Sequence, residues 1–139
     1  MKLCNDTVTV FNVKLNPGTD MDVYAATVIS GVSWFKTRSA SAVVSGLKEA
    51  DTVVVRIPIN ADFSGKSYIS PVAYKNAAMG EINDKYTLAE GDLIVRGAVE
   101  SAAPLTPSLL RASYDDVMTI LSITDNRRAH APHWKVVAH

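Results

Sequence analysis

The chain has little of what most function classes require. Cys4 is the single cysteine among 139 residues, so no disulfide can form within the chain. That economy fits a reducing compartment. Lys and Arg number 14 and Asp and Glu number 14. The balance removes any overall pull toward nucleic acid or an anionic membrane, while leaving room for a local basic patch. No apolar run approaches the roughly 18 residues that a membrane-spanning helix needs. Met1-Lys-Leu-Cys4 leads at once into Asn5 and Asp6, so no secretory leader is expected. Without that route the glycosylation triplet Asn5-Asp6-Thr7 has no use. There is no Gly-rich phosphate loop, no His-Glu zinc helix and no Gly-x-Ser-x-Gly elbow.

What the sequence does hold is alternation. Residues 1–139 are read as one domain, long enough to bury a core without disulfides or metal. Thr7 to Leu15 alternates as a strand. Thr9, Phe11, Val13 and Leu15 share the face expected to point to the core, with Val8, Val10 and Asn12 opposite. Asn16-Pro-Gly-Thr-Asp20 is a turn, because Pro fixes φ and Gly accepts positive φ. Asp22 to Ser30 returns as a second strand, Gly31 marks a bend or bulge, and Val32 to Arg38 makes a third strand anchored by Trp34. Ser39 to Ala50 is small, polar and unpatterned, which reads as a loop. Asp51 to Ile59 carries the strongest strand signal, and Pro58 limits it to an end or edge.

Ala61 to Gly80 is a connector. Within it Ser70-Pro71 is a helix start, with Ser as N-cap and Pro in the first turn, for a short helix Val72 to Ala78 ended by Gly80. Glu90-Gly91 turns the chain into a buried strand, Asp92 to Val99, with a bulge at Gly97. Thr106-Pro107 opens a second short helix, Pro107 to Tyr114, by the same cap logic. The chain finishes as a hairpin. Val117 to Thr124 is one strand, Asp125-Asn126 breaks it, and Trp134 to Val137 is the other. Frequent turn signals and no βαβ rhythm predict a mainly β fold. The expected form is a small barrel or sandwich of seven to eight antiparallel strands, two short helices and long loops.

The terminal loop concentrates the polar chemistry. Arg127 and Arg128 could grip a phosphate or a carboxylate, and Arg is also enriched at protein interfaces. His130 and His133 lie three positions apart, a spacing that could begin a zinc site; a third ligand would have to come from elsewhere in the fold. The favoured reading assigns neither metal nor cofactor. It takes Arg127, Arg128, His130, His133 and Trp134 as candidates for a partner interface, although Trp134, like Trp34, also suits core or barrel-rim packing. Glu90-Gly91-Asp92 resembles an acid–base pair, but on a tight turn it reads as hairpin chemistry with solvated carboxylates.

Four pieces taken together carry a resemblance: Gly31-Val-Ser-Trp34, Arg56-Ile-Pro58, Tyr86-Thr-Leu-Ala-Glu-Gly-Asp-Leu-Ile-Val-Arg-Gly97, and Thr124-Asp-Asn-Arg-Arg128 with His133-Trp-Lys-Val136. In that order they resemble a family of small proteins encoded in prophages of Gram-positive gut bacteria. That family looks like phage minor head or head–tail connector proteins of the head-closure type. The resemblance implies a virion structural protein, not an enzyme. It would assemble as a homo-oligomeric ring, touch portal or adaptor and tail proteins, and make a passing contact with phage DNA, with no membrane involved. It would be found in the virion, and in the host cytoplasm during assembly. An alternative from the strand count and Arg127-Arg128 is an OB-like nucleic-acid-binding module. A third, a small hydrolase or metal enzyme built on His130 and His133, ranks last.

Overall fold

Alternating apolar residues build the first hairpin, β1 (Asp6–Asn16) with β2 (Met21–Arg38). The computed structural model describes residues 5–16, 18, 20–38, 51–82, 84–99, 110, 112–114, 116–128 and 130–139. The second and third expected strands are one. β2 runs on through Gly31, whose φ of 86° is open to glycine at no steric cost. Its first half pairs with β1 and its second half with β3 (Asp51–Pro58). β8 (His133–Ala138) lies beside β3, β7 (Val117–Asn126) beside β8, and β6 (Leu93–Arg96) joins β7 to β1. These six strands are antiparallel and their pairing closes in a ring, β1-β2-β3-β8-β7-β6. The mainly β expectation holds. The remaining two strands, β4 (Ser67–Tyr68) and β5 (Lys85–Tyr86), pair in parallel, not antiparallel as expected.

Two apolar clusters stabilise the ring from inside and outside. Val8, Val10, Ile29, Val55, Ile94 and Val136 are among the buried residues that meet inside it, with Trp34 and Trp134. Phe11, Leu93, Val95 and Val117 form the second cluster on the outer face, covered by Val99 and Leu110. The expected polarity of β1 is therefore corrected. The interior face is the one carrying Val8 and Val10, and Phe11 faces outward under a later segment. A local alternation rule cannot see a strand buried on both sides.

The connector is not a free loop. Its helix α1 spans Pro71–Asn76, and Ser70 Oγ accepts from Ala73 N at 3.2 Å, the predicted cap. It ends two residues early at Ala77, and Gly80 falls in a 3-10 turn, Met79–Glu81. Tyr86 and Leu88 then insert into the inner cluster. Strand registers put the β1–β2 turn, the end of β3 and the β7–β8 loop at one barrel end, and the connector plugs that end. Half of the second expected helix, 107–114, lies outside the described residues, as do Cys4 and the expected loop over 39–50. Tyr114 N does donate to Leu110 O at 2.9 Å, one helical turn.

Candidate functional site

The terminal hairpin keeps its expected place but not its expected break. Asp125 and Asn126 still pair, with Trp134 and His133. The turn chemistry acts one step later, because the Asp125 carboxylate accepts from Arg127 N (3.0 Å), Nε (2.9 Å) and Nη2 (2.8 Å). Those bonds hold the Asp125 carboxyl below the usual carboxylate range and fix the guanidinium. Arg127 then lies 4.6 Å over the Trp134 ring and 5.5 Å over Tyr68, in range for cation–π attraction. Tyr68 packs on Trp134 at 4.6 Å, and Phe63 stacks on Tyr86 at 4.9 Å.

The five predicted interface residues therefore divide. Trp134 is buried in the inner cluster, which removes it from any surface. Arg127 and Arg128 are exposed, and so is His130. His133 is half-buried, with Nδ1 2.6 Å from Ala131 O and Nε2 3.2 Å from Asn126 Nδ2. Those contacts suit the tautomer in which Nδ1–H donates and Nε2 accepts; a metal on His133 would displace one of them. Among the described residues no three His, Cys, Asp or Glu side chains gather as metal ligands.

A second polar group was missed in the sequence. Asn12 and Lys14 continue the inward face of β1 past Val10, toward the plugged end. Asn12 Nδ2 donates to Thr87 O (2.6 Å) and to Asp92 Oδ2 (2.9 Å), while Asn12 Oδ1 accepts from Thr87 N (3.1 Å). Lys14 Nζ donates to Tyr74 O (2.9 Å) and Lys75 O (2.7 Å), capping carbonyls at the end of α1. This seam holds the connector on the barrel. Beside it lies a cavity of about 730 Å³ lined in part by Lys14, Tyr74, Thr87, Glu90 and Asp92. Glu90 is exposed as expected, but Asp92 is only 6% exposed, so the solvated-carboxylate reading fails for it. A Gly-flanked acid on a turn gives no sign that the plug will cover it. The one local clue was Asn12, a polar residue amid the β1 apolar run.

Burial pushes the Asp92 carboxyl up to about 6, against the opposing pull of its bonds from Asn12 and Val13. The unfolded carboxyl stays near its ordinary value. At pH values between the two, the native chain keeps a proton that the unfolded chain has released. Stability from this group is thus full below the ordinary carboxylate range and is lost as pH rises through about 6. In urea titrations of the native chain and Asp92→Asn, the native-minus-variant difference should fall by roughly 3 kcal/mol from acidic to neutral pH. A flat difference would mean that the carboxyl is solvated.

The outer wall offers a surface of another kind. Phe35 pairs with Val54, Val54 with Val137, and Val137 with Ser122, beside the bulged Leu121. Their neighbours Val53, Val55 and Val136 point inward, so this row points outward across four strands. Phe35 is 58% exposed and Leu121 46%. Two positions along, Arg56 pairs with Lys135 on the same face.

Comparison with known proteins gives a family and no activity. No curated protein and no solved structure matches the chain. One family model matches residues 3–139, and the chain belongs to that family of unknown function (DUF6751).

Proposed function

We propose that the chain is a structural subunit of the phage head–tail interface, of head-closure or connector type. It works by ring assembly and by contacts with portal, adaptor and tail proteins rather than by chemistry on a substrate. The observation that carries this reading is the outward apolar row Phe35–Val54–Val137 with Leu121, its ends Phe35 and Leu121 exposed and its valines half-buried, on a wall whose strands are already paired. An exposed apolar patch edged by charge is a common mark of a protein-binding surface. Of the four pieces that carry the resemblance, two lie in β2 and β3, and two lie in the plug with β6 and in the β7–β8 hairpin with its exposed Arg-rich loop. The test is direct. Phage particles produced from the encoding prophage should contain the chain, with labelled copies at the joint of head and tail. Mature particles that lack it would sink the reading, as would a gene neighbourhood without portal and capsid genes.

Strand order supports a second reading, the OB-like module. The first three strands are neighbours, the last inserts beside the third, and a helix-bearing connector after the third covers a barrel end. OB barrels share that order and bind nucleic acid through loops that here correspond to the β1–β2 turn and the Arg127-Arg128 loop. Against it, Arg127 is engaged by Asp125 and Trp134. Under this reading, single-stranded DNA binds with micromolar strength in a salt-dependent manner. The Arg127→Ala, Arg128→Ala double variant then loses it.

A further inference from the structure

We infer that the outer wall of one copy docks into a groove on the connector of the next, head to tail. The inference rests on the assembly reading and names its two faces. The groove, about 570 Å³, has Ile69, Ala73 and Ala77 along it, with Glu81, Asp84 and the half-buried Lys85 also lining it. The wall presents the matching chemistry. Phe35 and Leu121 project as apolar knobs, and Arg56 and Lys135 sit side by side above the same row. Ala73 and Ala77 leave room for the large knobs, and the wall's two cations meet a groove whose two carboxylates outnumber its one lysine, which favours one orientation and suppresses wrong pairings.

The two faces also point in different directions. The wall centres on β3 and β8, which lie across the ring from β1 and β6. The connector's helix is tied to β1 through Lys14. A contact between two different patches of one subunit is heterologous, so it propagates. It closes into a ring when the rotation per subunit allows.

Two variants separate this contact from every other. The wall variant carries Phe35→Glu with Lys135→Glu; the groove variant carries Glu81→Lys with Asp84→Lys. All four positions are on the surface or at its edge, and circular dichroism checks that each variant folds. Sedimentation velocity and chemical cross-linking of the full chain, up to millimolar protein, should show self-association of the native chain. Each variant alone should lose at least about tenfold in that association. Mixed together, the variants should form one-to-one pairs and stop there, because each retains the one face the other lacks. A groove variant that associates like the native chain, or a mixture that stays monomeric, overturns the inference. So does a native chain that remains monomeric under cross-linking, or a wall that binds only a foreign peptide. None of these outcomes bears on whether the chain is found in phage particles, which tests the broader reading separately.

Discussion

Replacing Trp134 by alanine should lower the unfolding free energy by about 3–5 kcal/mol, measured in urea. The indole is 5% exposed and packs in the inner cluster. Its loss removes a large apolar area and leaves a cavity between the plug and the barrel wall. It also takes away the surface on which Arg127 and Tyr68 rest. Arg127→Ala, by contrast, should cost far less, since the guanidinium is at the surface and its ion pair with Asp125 is solvent-screened. The ratio is the useful quantity. If the two variants lost similar amounts, Trp134 would be behaving as a surface residue, and the packing described for the plugged end would be wrong.

Asn12→Ala should be of comparable severity, about 3 kcal/mol or more. The side chain is 1% exposed and meets three buried groups: Thr87 N, Thr87 O and the Asp92 carboxylate. Truncation strips all three of a partner, and the carboxylate is the costliest to leave so. Adding Asp92→Ala should recover part of the loss, giving a coupling of about 1–3 kcal/mol in a double-mutant cycle. Simple additivity would show that Asn12 and Asp92 do not act together. The single variant should also sharpen the pH response. With one lowering hydrogen bond gone, the Asp92 carboxyl rises further, so stability falls more steeply as pH climbs through the neutral range.

Short-range chemistry was legible in the sequence. Ser70 and Pro71 start α1 where they should, Gly31 and Gly97 both take positive φ, and the first and last hairpins lie where alternation put them. What depends on distant partners was not. The inward face of β1 was misassigned because Phe11 owes its burial to Leu93, Val95 and Leu110, far along the chain. Asp125 and Asn126 looked like strand breakers, yet each has a ladder partner across the hairpin. The Asp92 seam exists only because the connector folds back over the barrel. Its residue types are ordinary, and only the bonds across 75 and 80 positions give them a role. Of the terminal-loop residues, the exposed Arg128 and His130 remain open to a partner, and Trp134 does not.

The ring is completed by β6, four residues long, where Leu93 meets Phe11 and Arg96 meets Val8. A strand near the beginning therefore waits for one well past the middle. During synthesis the first hairpin leaves the ribosome with a bare edge, and nothing later in the chain is yet available to seal it. Sheets joined over such distances form slowly, in milliseconds to seconds, and an unsealed edge invites pairing with other nascent chains. Expression at a low level, where few unsealed edges meet one another, should therefore yield a larger native fraction than expression at a high level.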